Sequence, residues 1–335
     1  MPAIEELNLE AIDEADRTFC LSVGGSLGAL ERSITAIGQT SPVHVRPLDG
    51  VRFQLVTGFR RVGVLRRLSR PRAVAAVHSL EELPDTAAAR LAVVDNLGVR
   101  AYNLVEQARA VELLLGVGGL RDAEVVREVL PALGLQAHGQ VLQRLRRLLE
   151  LEEPFLEVIA REGWPARAVL PLCAWRPEAR RAFFEVVRAL RPGANKLSEL
   201  AGWLEEIALR EDQPISSVIA DLELHTHATN EAIPTHERLK GVRNAVRNAR
   251  YPTLTEMERR AGELTSKLAL GPAVTVRPPE GFEGEAYEAR FTFGSPEDLK
   301  AIGSLLSEAA ADPAAAELRR LLIEGLSEDE EGGEP

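Results

Sequence analysis

The spacing of apolar residues changes along the chain, and each change marks a different kind of structure. Up to about residue 110, short apolar runs bounded by turn residues alternate with stretches whose apolar residues recur every three or four positions. The first spacing is typical of buried strands and the second of amphipathic helices. From about residue 111 to 212 nearly every segment has the helical spacing. The pattern predicts an α+β protein in which a small α/β domain precedes an all-helical domain.

The elements of the first domain follow from this pattern and from its turn residues. Asp49-Gly50 lies between two apolar runs, which is a common signal for a hairpin. Gly38 follows a stretch with one apolar helical face and provides a helix stop. The predicted elements are a helix at 26–38, strands at 42–48 and 51–58, a helix from 59 to 68 and a strand at 72–80, followed by helical pattern from residue 85.

Two arginines stand where the second strand of this hairpin turns into a helix. The strand ends at Thr57, Gly58 makes the turn, and Arg60 and Arg61 follow in the first helical turn. The free backbone N–H groups of a helix start attract anions, and two cations add to that attraction. The arrangement favours a phosphate site, whereas a solvated basic helix end is the alternative for an isolated Gly-Phe-Arg-Arg sequence.

The central region contains two short helices joined by a turn at Gly134. This form is typical of a helix-turn-helix, although any helical hairpin shares it. On the second helix, one face is apolar and the other carries glutamines and arginines. The residues that we expect to contact DNA are Gln136, His138, Gln140, Gln143, Arg144, Arg146 and Arg147, with Gln140, Gln143 and Arg144 toward bases and Arg146 or Arg147 toward phosphate.

The C-terminal region returns to two strands and a helix. The strands lie on either side of a glycine-rich turn, and the helix begins at Ser295-Pro296. Leu299, Ile302 and Leu306 form an apolar stripe on this helix. Because one hairpin and one helix bury too little surface to be stable alone, we expect this stripe to form a homodimer interface.

Composition and charge narrow the class of protein. The 335 residues are 45% hydrophobic and include two cysteines, so real cores are expected and a disulfide framework is not. The net charge of −11 argues against a surface that is basic throughout, but it allows a local basic face. No run is apolar enough to span a bilayer and no leader precedes the first domain, which predicts a cytoplasmic protein without a membrane partner.

The order of these segments resembles that of ParB-type chromosome and plasmid partition proteins. The segments that carry the resemblance are the helix ERSITAIG, the strand PVHVRP, the motif Gly58-Phe59-Arg60-Arg61, the motif Asp95-Asn96 with Asn103 and Glu106, the helix-turn-helix, and the C-terminal strands and helix. The resemblance covers most of the chain, and it is the order of the segments that distinguishes it from a chance match.

This resemblance implies a fold and partners. It implies a ParB/sulfiredoxin-like N-terminal domain that binds CTP with Mg, a helix-turn-helix domain that binds a specific site on double-stranded DNA, and a C-terminal ββα dimerisation module. A ParA-type ATPase is a further expected partner, and the expected location is the nucleoid. The domains predicted from pattern and resemblance together are 1–110, 111–212, a connector with a basic helix at 213–252, the dimerisation module at 253–325 and a disordered acidic tail at 326–335.

The resemblance also assigns residues to the CTP site. Gly58, Arg60 and Arg61 are expected to face phosphates, Asn96 to lie near Mg, and Asp95 to take the acidic role in hydrolysis. The chain departs from the family motifs at four positions, which are Ser41, Phe59, Gly63 and Val99. Arg100 follows Val99 and is expected to replace the missing arginine. We therefore expect weak CTP binding that cognate DNA strengthens, and at most a weak CTPase.

Two other functions stay open from the sequence. The same N-terminal fold occurs in sulfiredoxin-like proteins and in small-molecule kinases, so a kinase-like phosphotransferase is one alternative. The sulfiredoxin branch needs a cysteine beside the phosphate motif, where this chain has Thr57 and Phe59. A transcriptional regulator or interaction protein that does not bind nucleotide is the other alternative.

Overall fold

The computed structural model describes residues 2–24, 26–97 and 100–326, with the exception of the Asn96 side chain. The chain forms two compact units, Met1–Ala201 and Gly202–Pro335. The first unit thus contains the predicted α/β domain together with most of the predicted helical domain. The predicted domain boundaries stay predictions, and nearly all of the predicted tail lies outside the described residues.

A five-stranded mixed sheet forms the base of the first unit. Its strand order is β1-β5-β3-β4-β2, in which β1 pairs antiparallel with β5, β5 parallel with β3, β3 antiparallel with β4, and β4 parallel with β2. The strands are β1 Ala3–Asn8, β2 Ile12–Asp13, β3 Val43–Asp49, β4 Arg52–Thr57 and β5 Arg72–Val77. The three predicted strands are confirmed within one residue at each end, except that β5 ends at Val77, three residues before its predicted end.

The two edge strands were not predicted, and their surroundings explain why. β1 is exposed at nearly every position, and β2 has only two residues. Neither strand therefore carries the apolar run or the strict alternation by which strands are found in a sequence. The hairpin turn lies at Asp49-Gly50 as predicted, where the Asp49 carboxylate accepts a hydrogen bond from the backbone N–H of Arg52 at 3.0 Å.

Three helices pack with this sheet, namely α1 Gly28–Ile37, α2 Phe59–Arg67 and α3 Asp85–Leu97. The core between sheet and helices includes Val43, Val45 and Leu55 from the strands and Val62 and Leu65 from α2. The apolar face predicted for the helix before Gly38 is only partly buried, because Ile34 is buried whereas Ile37 is 70% exposed.

An arginine–aspartate pair stands at each end of α3. Arg46, which is 6% exposed, bonds to Asp85 in the first turn of α3 at 2.5 Å, to the carbonyl of Leu83 at 3.1 Å and to Gln54 at 2.6 Å. At the other end, Asp95 pairs with Arg61. These polar contacts from the sheet and from α2 add to the burial of Ala88, Ala92 and Val93 on α3.

The rest of the first unit is helical, as predicted. Its helices are α4 Leu104–Gly116, α5 Asp122–Glu124, α6 Leu130–Ala132, α7 Gly139–Leu148, α8 Glu153–Glu162, α9 Ala166–Val169, α10 Pro177–Leu190 and α11 Ala194–Arg210, the last of which continues into the second unit. Between α5 and α6, Val125–Val129 form a π-helical turn. Residues 122–132 are thus one continuous helical segment, which we call the first motif helix.

The predicted connector at 213–235 contains two short helices, α12 Ile215–Asp221 and α13 Leu224–Thr229. Val218, Ile219 and Leu224 are buried there, although the surrounding residues are mostly polar. Two long helices follow, α14 Thr235–Arg250 and α15 Pro252–Lys267.

The C-terminal part of the second unit contains the predicted strands and helix plus one more helix. Its elements are β6 Val274–Arg277, β7 Glu288–Phe291, α16 Pro296–Ala311 and α17 Pro313–Glu324, of which α17 was not predicted. The two strands pair antiparallel as a separate sheet. In the described part of the chain, no helix has both the length and the apolarity needed to cross a membrane.

Candidate functional site

The turn between β4 and α2 depends on a glycine. Gly58 precedes α2 with φ +99°, a region that side chains other than glycine rarely adopt. A Cβ on Gly58 would lie 2.5 Å from Cγ1 of Val43, a residue with no solvent exposure. The close approach of the two backbones brings the N-terminus of α2 against β3 and leaves its first N–H groups beside a cavity.

This cavity has a volume of about 290 Å³ and brings the predicted nucleotide residues together. It is bordered by the loop after Phe19, by α1, by the start of α2 and by the end of α3. Gly58, Arg60, Arg61, Asp95 and Arg100 all line it. Arg100 thus reaches the site although it follows the family's arginine position by one residue.

Arg61 is committed to bonds within the protein. Its Nη1 donates to the carbonyls of Ser41 and Pro42 at 3.1 and 2.5 Å, and its Nη2 donates to Asp95 at 3.2 Å. Burial lowers the pKa of Arg61, and the charge of Asp95 offsets part of that effect. The pair neutralises both charges at this end of α3, so Asp95 is not a free carboxylate.

Arg60 and Thr57 keep polar atoms unused. Arg60 donates from Nη2 to the carbonyl of Ser26 at 2.8 Å, while its buried Nε has no hydrogen-bond partner among the described residues. Thr57 is 2% exposed, and its Oγ1 also lacks a partner in the part of the chain that the structure describes. Burial lowers the pKa of Arg60, and the nearby positive charge of Arg100 lowers it further. Buried polar groups without partners are rare, so these two atoms point to a polar ligand or a water.

Arg100 forms a two-pronged pair with Glu106. Its Nη1 and Nη2 donate to Oε2 and Oε1 of Glu106 at 2.6 and 2.7 Å. Glu106 is 2% exposed and also accepts from the backbone N–H of Asn103, which caps α4. The bond to Glu106 raises the pKa of Arg100. The capping residues of α4 therefore hold Arg100 at the rim of the cavity.

Some of the site was missed by sequence reasoning, and some lies outside the described residues. Thr57 was considered only as the place of an absent cysteine, although its position before Gly58 is the signal that could have identified it. Glu106 was matched to a family motif without a role. Asn96 lies in α3, but its side chain is outside the described residues, as are Gly98 and Val99.

A family comparison identifies the domain that contains this cavity. Residues 3–97 match the family model described as the ParB N-terminal domain. The first domain is therefore similar to a ParB N-terminal domain, and we refer to it by that name. The matched residues run from β1 to the end of α3, and they include every predicted nucleotide residue except Arg100.

One curated relative and several solved structures resemble the chain. The chromosome-partitioning protein Spo0J of Thermus thermophilus is 34% identical over 157 residues, which are 46% of this chain and 54% of that protein. The chain therefore spans about half the length of this relative.

The solved structures share lower identity with the chain. Truncated ParB from Caulobacter crescentus complexed with CTP-γ-S has 19% identity and a TM-score of 0.26, with 58% of this chain and 98% of that chain covered. The same ParB complexed to the centromeric parS site has 18% identity and a TM-score of 0.31, with 59% and 98% covered. A Pnob8-like ParB-N domain has 12% identity and a TM-score of 0.34, with 72% and 98% covered.

Beyond the ParB N-terminal domain, the two helices of the predicted helix-turn-helix lie within the same compact unit. The first motif helix ends near Gly134, and α7 follows with Leu142, Leu145 and Leu148 buried. A π turn holds one residue more than an α turn, so the turn at Val125–Val129 contains an extra residue without ending the helix.

The predicted DNA-contacting residues separate into two groups. Gln136 and His138 precede α7 and are exposed, and Gln140, Gln143, Arg144 and Arg147 form one exposed face of α7. Arg146 is different, because its guanidinium bonds to Asp122 in the first motif helix. The exposed face therefore has two arginines and two glutamines in the positions that would face a ligand.

The predicted dimer residues lie in the second unit and have unequal surroundings. Ile302 is 4% exposed and packs within its own chain against Leu270 and Val274. Leu306 packs at the border of this cluster, whereas Leu299 is 41% exposed. The stripe is thus divided between an internal core and the surface.

Proposed function

We propose that the chain is a dimeric, site-specific DNA-binding protein of the ParB type that acts in DNA partition or nucleoid organisation. The observation that carries the proposal is the combination, in one compact unit, of a match to the ParB N-terminal domain and two helical segments joined by a turn, the second of which has an exposed glutamine and arginine face. The partial similarity to a chromosome-partitioning protein supports the same role.

DNA recognition is proposed for the exposed face of α7. Glutamine and arginine can each make paired hydrogen bonds to a base edge in the major groove, glutamine to adenine and arginine to guanine. Gln140 lies in the first turn of this face, Gln143 and Arg144 lie in its middle, and Arg147 lies at its C-terminal end. We therefore assign the first three residues to bases and Arg147 to phosphate.

Nucleotide binding is proposed for the cavity in the ParB N-terminal domain, with CTP and Mg as the ligand that the family resemblance favours. The residues fit a phosphate, because the α2 N-terminus, the unpartnered Thr57 hydroxyl and the unpartnered Nε of Arg60 border one cavity. Gly58 allows the backbone to approach a ligand closely. Asn96 would hold the metal, and Arg100, although paired with Glu106, lies at the rim of the cavity.

Hydrolysis is expected to be weak at this site. Asp95 is the residue proposed for the acidic role, and its carboxylate is paired with Arg61 at 3.2 Å. A carboxylate in such a pair has less electron density to offer a water molecule than a free one. CTP would then serve as a switch that favours one dimer state rather than as a substrate that turns over rapidly.

Dimerisation is proposed for the C-terminal segment of the second unit. β7 is exposed along its whole length, and Phe291, Phe293 and Leu299 are exposed apolar residues near it. A two-stranded sheet is marginal by itself, and pairing with a second copy would cover these residues. A ParA-type ATPase is the further partner that the family resemblance favours, and the nucleoid is the expected location.

Three measurements test this function. Genomic DNA fragments captured by the full-length chain should be enriched for one site, and Arg144→Ala and Gln140→Ala should each change the enrichment profile. An unchanged profile would contradict the assignment of α7. Calorimetry with CTP and Mg, with and without the captured site, should detect weak binding that DNA strengthens, since coupling between two ligands is reciprocal.

One outcome would move the chain to another class of protein, and another would move the proposed dimer interface. DNA binding that does not respond to CTP, with no heat of CTP binding, would indicate a nucleotide-independent regulator. A chain that ends at Pro252 should sediment as a monomer, and a dimer that persists in it would place the interface in the remaining residues.

A further inference from the structure

Arg146 lies on the flank of α7, between the buried leucines and the exposed DNA-facing side. Its Nη1 and Nη2 donate to the two carboxylate oxygens of Asp122, each at 3.0 Å. Its Nε faces Glu112 of α4 at 4.0 Å. All three nitrogen atoms of the guanidinium group are therefore directed at carboxylates of two other helical segments.

We infer that Arg146 is a positioning residue rather than a contact to DNA phosphate. Through Asp122 it sets the orientation of α7, the helix proposed to read DNA. The inference rests on the proposed DNA-binding function. A guanidinium in a parallel two-bond pair with a carboxylate has a defined angle as well as a defined distance. The pair thus restrains both the rotation of α7 about its axis and its distance from the first motif helix.

The alternative role is electrostatically unfavourable. If Arg146 turned toward a phosphate, it would leave Asp122 and Glu112 as unneutralised negative charges beside the DNA. The side chains of these two residues are 54% and 57% exposed, so the duplex would repel them. Keeping the pair closed removes that repulsion and leaves phosphate contact to other arginines.

Arg147 is the natural comparison, because it is adjacent in sequence and has a different environment. It is exposed on the same face as Arg144, and within the described residues no ion pair is recorded for either of them. Both Arg146 and Arg147 lie in the last turn of α7, so the helix dipole favours both charges equally. If variants at the two positions change DNA binding differently, the difference therefore reflects the separate roles of Arg146 in positioning α7 and of Arg147 in contacting phosphate.

The test uses the full-length chain, a duplex carrying the captured site, a scrambled duplex, and fluorescence anisotropy over a series of salt concentrations. Arg147→Gln should weaken binding to both duplexes and lower the slope of log K against log salt by about 0.9, as expected for one lost phosphate contact. Arg146→Gln should leave that slope unchanged, because no phosphate contact is lost. It should weaken binding to both duplexes slightly, because Asp122 and Glu112 lose their cation, and it should weaken binding to the captured site about two- to fivefold more than binding to the scrambled duplex.

A second variant keeps the inference testable if Arg146→Gln folds poorly. Asp122→Asn keeps the shape of the side chain and removes one negative charge near the DNA. Simple electrostatics predicts tighter binding to both duplexes, whereas loss of positioning predicts a smaller ratio between the captured site and the scrambled duplex. The combined variant Asp122→Arg with Arg146→Asp should recover part of this ratio.

The outcomes separate the inference from the function on which it rests. A slope that falls in Arg146→Gln as it does in Arg147→Gln would overturn the positioning role, and so would an Arg146→Gln variant that binds both duplexes like the parent. A parent chain that binds neither duplex would instead remove the proposed function itself.

Discussion

The turn at Gly58 allows a stability effect to be worked out from the structure. Gly58→Ala places a methyl group 2.5 Å from Cγ1 and 2.9 Å from Cβ of Val43, at a backbone φ of +99°. The unfavourable backbone region costs an alanine about 1–2 kcal/mol. Overpacking against a fully buried valine adds about 1–3 kcal/mol. We expect the ParB N-terminal domain to lose about 2–5 kcal/mol, a large part of the usual stability of a domain.

The assay must report on this domain alone. The three tryptophans are at positions 164, 175 and 203, outside the matched residues 3–97, so tryptophan fluorescence would follow other parts of the chain. Hydrogen exchange of peptides from β3, β4 and α2, measured by mass spectrometry in the full-length chain, reports the free energy of opening locally. Gly58→Ala should accelerate exchange of the most protected amides in these peptides.

Two further variants separate the strain of the Gly58 backbone from the steric contact with Val43. In Gly63→Ala, in the middle of α2, the new methyl group meets no described atom within 4 Å beyond the adjacent residues and the backbone of its own helix. This variant should stabilise the domain by about 0.5–1 kcal/mol. Val43→Ala combined with Gly58→Ala should cost less than the sum of the single changes, because the smaller residue removes the clash. Protection in Gly58→Ala equal to that of the parent would refute the reasoning on both strain and contact.

Other parts of the structure lead to three more predictions. Arg46→Met should cost the first domain about 1–3 kcal/mol in the same exchange assay, because buried acceptors lose their donor. Burial lowers the pKa of His44 and of His78 below the usual 6.5. Nδ1 of His44 lies 2.9 Å from Nε2 of His78. The neutral histidines therefore contribute their full stability above pH 6.5, and this stability is lost as the pH falls through the lowered pKa values. The melting temperature of His44→Gln should drop less than that of the parent between about pH 7.5 and about pH 5.5. Ile302→Asp should abolish exchange protection around β6, because Ile302 is buried. Leu299→Asp should preserve that protection and reduce only self-association in sedimentation, because Leu299 is exposed. Equal effects of the two variants would contradict the assignment of Ile302 to the internal core and Leu299 to the surface.

The strongly patterned elements were predictable from the sequence. β3, β4 and β5 are flanked by turn residues and contain buried apolar runs, so local pattern and tertiary environment agree. The start of α3 at Asp85 and the motif around Gly134 follow from the same agreement. β1 was not predicted, because its pairing with the distant strand β5 stabilises it more than its own periodicity does. The helices α12 and α13 were not predicted, because they have only seven and six residues.

The sequence by itself determined the order of the segments, the glycine at the strand-to-helix turn, and the residue types available for binding phosphate and DNA. Only the tertiary structure decided which charges are available. Arg61 and Arg146 look like their neighbours Arg60 and Arg147 in the sequence, yet Asp95 and Asp122, 34 and 24 residues away, neutralise them. The physical reason is that a helix face is encoded within a few residues, whereas the partner of a charge is set by how distant segments pack. The same packing buried Ile302 and left Leu299 on the surface of one apolar stripe.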